Sequence, residues 1–131
     1  FKEIRRISDA FVRYRNIGAM SHNCTDDTPY LCVSKPVEKF AAIERIECDQ
    51  PLLIGCFAAK DGGGAAFTVV NMSDLEAVET ARVKMLLAGS KVMAWPRGQR
   101  VELQAGSDGL RHLALAPGEG VFVEVDGMEA R

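Results

Sequence analysis

Histidine and aromatic residues are scarce in this chain of 131 residues, which has two His, one Trp, two Tyr and six Phe. The chain has no surplus of positive charge, because 16 Lys and Arg residues stand against 18 Asp and Glu residues. A nucleic-acid-binding domain ordinarily carries a basic surplus. No apolar run approaches the roughly 18 residues of a membrane span, and no signal peptide opens the chain. We therefore expect neither nucleic acid nor a membrane as a partner.

Motifs of several catalytic classes are also missing. The chain has no G-x-S-x-G nucleophile elbow, and Gly62-Gly63-Gly64 lacks the helix and the Lys-Ser/Thr pair of a phosphate loop, so it is predicted to be a hairpin loop. No Asp or Glu matches a catalytic motif. We expect these acidic residues to be solvated surface charges in turns or on alternating strand faces, as for Asp61, Asp74, Asp108, Glu119, Glu44, Glu102 and Glu124. No catalytic residue and no cofactor is predicted.

The four cysteines are not spaced as a zinc or redox pair. They are Cys24, Cys32, Cys48 and Cys56, with apolar neighbours at Cys32 and Cys56. They are interpreted as small buried residues in a reducing compartment, which favours a cytoplasmic protein; disulfides are the alternative. A metal site at His22, Cys24 and Cys32 would need a fourth ligand that the sequence does not supply, so none is predicted. His112 lies in a strand-like run and is interpreted as a sheet residue.

Apolar residues make up 47% and charged residues 26% of the sequence. These fractions are typical of a globular domain, and the length fits one domain. The first residue is Phe1 rather than Met, which leads us to expect an excised piece of a longer protein.

Residues 1–17 have a helical period. Ile4, Ile7, Phe11 and Tyr14 recur at spacings of three and four, and Gly18 follows as a helix stop, which predicts a helix over 1–18. Five basic and two acidic residues give this segment a net charge of +3. We interpret the charge as a solvated or partner-facing helix face, with a nucleic-acid or membrane contact as the alternative. The apolar stripe must be buried by the rest of the protein or by a second copy.

From residue 29 onward, the apolar period is two and turn residues recur every eight to twelve positions, as in an antiparallel sandwich or barrel. The predicted fold is mainly β: an antiparallel β-sandwich of about eight strands, preceded by one amphipathic helix. The strand-like runs are 29–33, 39–48, 52–58, 65–71, 79–86, 91–95, 100–103, 110–115 and 121–125.

Three segments carry a resemblance to a known class of domain. The run Pro51-Leu-Leu-Ile-Gly-Cys-Phe57, followed by a glycine loop and Ala66-Phe-Thr-Val-Val-Asn71, resembles paired strands of the β-sandwich that closes many glycoside hydrolases. Leu113–Val125, with its Pro-Gly turn, resembles the last hairpin of such domains. Phe1–Met20 resembles the last helix of the preceding (β/α)8 barrel. The parent class favoured is the β-galactosidase-like barrel hydrolases.

The resemblance implies a non-catalytic accessory domain that packs against the catalytic barrel of the same chain and stabilises it. It implies a division into a helix at 1–18 from the end of the catalytic domain, a sandwich at 29–125 and a tail at 126–131. The stripe Ile4, Ile7, Phe11 and Tyr14 is a candidate surface for a homo-oligomer. The alternative function is a carbohydrate-binding module, in which Trp95 is the candidate stacking platform; a large side chain that closes one end of the core is the simpler interpretation of Trp95.

Overall fold

A computed structural model describes residues 13–22, 40–60, 64–72, 80–96 and 99–126. These residues form nine β-strands and no α-helix. The strands are β1 (Tyr14–His22), β2 (Ile43–Glu47), β3 (Leu52–Ala59), β4 (Gly64–Asn71), β5 (Ala81–Leu87), β6 (Lys91–Ala94), β7 (Val101–Glu102), β8 (Arg111–Leu115) and β9 (Gly120–Asp126). The mainly β prediction is confirmed. No helix within this part of the chain is long and apolar enough to cross a membrane.

The strands form two antiparallel sheets. The larger sheet has six strands in the order β1-β3-β4-β9-β6-β7, and the smaller has three in the order β2-β5-β8. The sequence predicted that the strands before and after the glycine loop pair as a hairpin. This pairing is confirmed, because β3 pairs with β4 and Gly55 lies opposite Thr68. A methyl group in place of the Gly55 hydrogen would lie 2.6 Å from the Thr68 hydroxyl, so any larger residue at this position of the motif has to displace the Thr68 side chain.

One core lies between the two sheets. Alternate residues of β3, beginning with Leu52 and Ile54, and alternate residues of β5, including Val83 and Met85, are buried in the same cluster. The Phe40 and Phe67 rings meet edge to face in it, with centroids 6.4 Å apart. The period of two therefore places one apolar face of each sheet against the other, in a sandwich-like arrangement.

The helix predicted over 1–18 is wrong where the structure describes it. Tyr14, the last residue of the predicted apolar stripe, opens β1, which pairs with β3; the other stripe residues, Ile4, Ile7 and Phe11, lie outside the described residues. Gly18 does not stop a helix: it has a φ of 127° at a register shift between Asn16 and Gly18. A glycine in a strand can mark such a bulge, and the Asn16 side-chain oxygen accepts a hydrogen bond of 2.7 Å from the Gly18 N–H.

The predicted last hairpin is also wrong, because β8 and β9 lie in different sheets. Gly118, with a φ of 78°, turns the chain from the smaller sheet to the larger, and its N–H donates to the Asn71 backbone oxygen at 2.8 Å. The Asn71 side chain is fully buried and donates to the Leu115 backbone oxygen at 3.0 Å. Asn71 thereby fixes the crossover.

Candidate functional site

The outer face of the six-stranded sheet carries the most unusual group of side chains in the described part of the chain. Tyr14 of β1 and Glu124 of β9 lie on this face with two strands between them. The intervening strands present Ala59 and Ala66 there, opposite Tyr14 and Glu124 respectively. Because alanine rises so little above the sheet, the two long side chains extend across it and meet.

Glu124 is a buried carboxylate with both oxygens bonded. Its side chain is only 1% exposed. The Tyr14 hydroxyl donates to Oε2 at 2.6 Å, and the Trp95 indole N–H donates to Oε1 at 2.8 Å. The Arg13 guanidinium lies 3.5 Å from Oε2 and is itself largely in water, with 57% of its side chain exposed. The prediction that Glu124 is a solvated surface charge is therefore wrong.

Burial and the pairing with Glu124 together raise the pKa of Tyr14. Burial away from water, followed by the hydrogen bond to Glu124 and the negative charge of that carboxylate, raises the pKa of Tyr14 above its ordinary value, while Arg13 lowers it in part. Tyr14 is thus held as the neutral hydrogen-bond donor that a buried carboxylate requires. A charged acceptor with two donors and a nearby cation satisfies the condition under which a buried charge is tolerated.

Aromatic rings form a layer around this carboxylate. Phe122 meets Tyr14 at 5.9 Å and Phe57 at 6.2 Å between ring centroids, both edge to face. Trp95, Ala59 and Phe57 pack as partly buried residues against the buried group of Tyr14, Ala66 and Phe122. We call these six residues with Glu124 the outer cluster. It explains why Val121–Val125 is buried on both faces of the strand.

Trp95 is held at both its backbone and its side chain. Its backbone N–H donates to the Phe122 oxygen at 2.9 Å, which continues the pairing of β6 with β9 by one residue. The ring is half-buried, and the Arg100 guanidinium lies over it at 6.0 Å from the centroid. The role of Trp95 as a sugar platform stays a prediction. A sugar that stacked on this ring would share it with the Arg100 guanidinium.

The other polar candidates from the sequence lie apart from the outer cluster. His112 is an exposed residue of β8, and its Nε2 lies 3.5 Å from Asp108 Oδ2. Asp108 and Glu119 accept hydrogen bonds from backbone N–H groups in turns, those of Leu110 and Ala116 respectively. Glu44 and Glu102 are exposed, as predicted, whereas Asp61 and Asp74 lie outside the described residues.

The prediction of buried cysteines is confirmed at Cys56. Cys56 is buried and its thiol is free, whereas Cys48 is half-buried. Burial raises the pKa of the Cys56 thiol to about 11, which keeps it protonated and unreactive. Cys24 and Cys32 lie outside the described residues. Within the described ranges, no group of three His, Cys, Asp or Glu side chains is placed to hold a metal ion.

Sequence reasoning missed the outer cluster because its members are far apart in the chain. Tyr14 and Glu124 are separated by 110 positions. One signal was available: Glu124 interrupts the apolar run Val121–Val125, and an acidic residue inside a strand apolar on both faces needs a partner. Comparison of the chain with family models, with curated protein sequences and with solved structures finds no match in any of the three.

Proposed function

We propose that this chain is the non-catalytic accessory β-sandwich of a larger barrel-type glycoside hydrolase, and that it packs against the catalytic barrel through the outer face of its six-stranded sheet. The observation that carries the proposal is the apolar and aromatic character of that face. An antiparallel sheet with one face in water ordinarily carries polar residues there. Phe57 and Trp95 on this face are partly exposed and suit a second layer of protein, whereas Phe122 is already buried within the outer cluster.

The start of β1 supports the same face. Arg13 precedes the strand and lies within 3.5 Å of Glu124, so the chain enters the larger sheet at the outer cluster.

Glu124 has a structural role in this proposal. Its two oxygens are bonded to Tyr14 and Trp95, which lie on different strands or their ends, and the carboxylate is shielded from solute molecules. It holds the first strand and the end of β6 to the central strand β9. The acid and base of hydrolysis would belong to the barrel, where such enzymes place two carboxylates at strand ends.

The test uses the longer protein, expressed with its natural upstream sequence and assayed on aryl glycosides. Glu124→Gln is expected to leave the turnover number within about twofold and to shorten the half-life of the activity at elevated temperature, because it weakens a buried contact rather than the chemistry. Glu47→Gln, at an exposed carboxylate of β2, is the matched control and should change neither quantity. An upstream sequence without a barrel, or loss of turnover in a folded Glu124→Gln protein, would refute the proposal.

The second candidate is a carbohydrate-binding module with Trp95 as its platform. The observation that favours it is the fixed position of the indole, since a ring already held by hydrogen bonds loses little freedom on stacking. Trp95 is the only tryptophan, so its fluorescence reports the site directly. A saturable change in Trp95 emission with oligosaccharides, whose size or midpoint changes in Arg100→Ala, supports stacking. Unchanged emission with every sugar rejects this candidate.

A further inference from the structure

Among the residues that the structure describes, the short strand β7 lies at one edge of the six-stranded sheet and pairs with β6. The Leu103 N–H, one residue past the end of β7, donates to the Val92 backbone oxygen of β6 at 2.9 Å. In an antiparallel pair, residues that exchange backbone hydrogen bonds alternate with residues that do not. The N–H and C=O of Glu102 therefore point away from β6, toward the edge, and the same alternation gives Arg100 this orientation.

The side chains along this edge are exposed and carry opposite charges. Val101 is 44% exposed, more than any other large apolar side chain in the described ranges. Arg100 and Glu102 flank it, both exposed, and neither forms an ion pair with a described residue. Residues two apart in a strand share a face, so both charges lie on the outer face, where the Arg100 guanidinium overlies Trp95. That contact uses the flat side of the guanidinium and leaves the N–H groups at its rim for a carboxylate.

One antiparallel register lets this edge pair with a second copy of itself. Arg100 and Glu102 must face each other across the edge, because their backbone groups are the ones that point outward. A register with Arg100 opposite Arg100, or Glu102 opposite Glu102, sets like charges together and is destabilising. The register centred on Val101 instead places Arg100 of each copy opposite Glu102 of the other. Charges at a strand edge ordinarily discourage pairing, but the order of these two charges favours this single arrangement.

We infer that β7 is the contact of a symmetric homodimer, in which two copies pair antiparallel along this edge and join their six-stranded sheets into one. Each Arg100–Glu102 pair exchanges its backbone hydrogen bonds and adds a side-chain ion pair. Val101 lies on the two-fold axis, where the Cα atoms of such a pair are about 4.5 Å apart, so each copy covers the exposed valine of the other.

The strength and independence of this dimer follow from the small contact. A contact along so short a strand buries much less than a standard interface, which predicts a Kd on the order of 100 µM. The inference goes beyond the proposed function, because neither a barrel nor a sugar takes part in it.

Sedimentation equilibrium of the 131-residue chain, from about 10 µM to 1 mM, measures the association. We expect a reversible monomer–dimer equilibrium that weakens as salt screens the charge pairs. Glu102→Arg and Arg100→Glu each place like charges opposite one another and should each raise the Kd by at least about tenfold. An equimolar mixture of the two variants restores opposite charges in both pairs, so it should form a heterodimer about as tightly as the wild type dimerises.

Glu47→Arg, the same charge reversal at an exposed carboxylate of β2, is the matched control and should leave the Kd within about twofold. Circular dichroism checks the fold of each variant, and Glu102→Lys takes the place of Glu102→Arg if the latter fails to fold. The inference is overturned if the wild type stays monomeric throughout, if its dimer persists unchanged in both reversal variants, or if their mixture associates no better than either variant alone. The glycosidase assay of the longer protein is independent, so either proposal can fail while the other stands.

Discussion

The outer face of the six-stranded sheet carries aromatic rings and a buried carboxylate. The outer face of the three-stranded sheet carries charged side chains that lie in water. Arg82 and Lys84 on β5 and Glu47 on β2 are exposed, and they alternate with core residues such as Val83. On β9, by contrast, Phe122 and Glu124 point away from the core and are still buried.

The same alternation of inward and outward residues along a strand therefore has two different outcomes on the two sheets. On β5 the outward positions are solvated, and opposite charges such as Glu47 and Lys84 lie across from each other, which contributes little to stability. On the larger sheet the outward positions form a second apolar layer with one charge inside it. Energetic consequences should therefore be concentrated on one of the two outer faces, and paired substitutions on the two faces test this directly.

The largest effect is expected for Glu124→Leu. Leucine keeps much of the side-chain volume but leaves the Tyr14 hydroxyl and the Trp95 N–H without their acceptor. The loss of the acceptor for one buried and one half-buried donor predicts a loss of about 3 kcal/mol in the free energy of unfolding. Urea denaturation followed by circular dichroism measures it.

The control for this substitution is Glu47→Leu on the smaller sheet. The Glu47 side chain is 52% exposed, and its ion pair with Arg45 spans 3.7 Å at the surface. The free energy of unfolding should change by no more than about 0.5 kcal/mol. Equal losses in the two variants would show that the outer cluster is no more important than a solvated pair.

Ala66→Leu is expected to have the next largest effect. Ala66 is a fully buried member of the outer cluster and lies opposite Glu124, where the Tyr14 and Glu124 side chains meet. A larger side chain there forces the hydrogen-bonded pair apart, and overpacking of this kind costs about 2 kcal/mol. The matched variant is Ala114→Leu on the exposed face of β8, which should be nearly neutral. Thermal unfolding of the two proteins compares them, and a neutral Ala66→Leu would contradict the close packing of this face.

Tyr14→Phe sharpens the comparison through its pH dependence. Near neutral pH the variant should lose about 1–2 kcal/mol, because Glu124 loses a donor. The pKa of Tyr14 is raised in the folded state, so its stabilising contribution is complete below the unfolded pKa, near 10, and is lost as the pH rises toward the folded pKa. The stability gap between wild type and variant should thus narrow above about pH 10. Urea denaturation across this range measures the gap, and a constant gap would contradict the raised pKa.

Most strands were predictable from the sequence because their period is local. The runs around β3 and β4 gave both the strands and their pairing, since the glycine loop between them admits only a short connection. The helix prediction failed at Tyr14, which lies in β1: Tyr14 belongs to the outer cluster and Ile17 packs against the main core, on opposite faces of the strand, as a period of two requires of residues three apart. Nothing local distinguished a hairpin from a crossover at Gly118.

The outer cluster was not predictable in the same way. Its contacts join β1, β9 and the end of β6, and these depend on the strand order of the larger sheet. A period of two assigns Glu124 correctly to the face away from the core, but it does not say that this face is covered. The burial of Glu124 depends on the small side chains of Ala59 and Ala66. In the sequence these alanines predict nothing, because only the strand order places them between Tyr14 and Glu124.

The smallest effect is expected at Asp108, in the turn before β8 of the smaller sheet. Its carboxylate accepts a hydrogen bond of 2.9 Å from the Leu110 N–H and lies 3.5 Å from His112 Nε2. The backbone hydrogen bond first, and the His112 charge after it, lower the pKa of Asp108. Asp108→Asn keeps an oxygen that can accept from Leu110 and removes only the charge.

A carboxyl group whose pKa is lower in the folded state contributes stability above its unfolded pKa, near 4, and loses it as the pH falls through the folded value. The gap between wild type and Asp108→Asn should therefore be small at neutral pH and close below about pH 4. Thermal unfolding across the acid range measures it. Asp108 accepts a backbone N–H in water, whereas the buried Glu124 accepts an indole N–H and a phenol O–H, so the two effects compare an exposed with a buried carboxylate. A loss of stability at Asp108 as large as that at Glu124 would remove the distinction between the two faces.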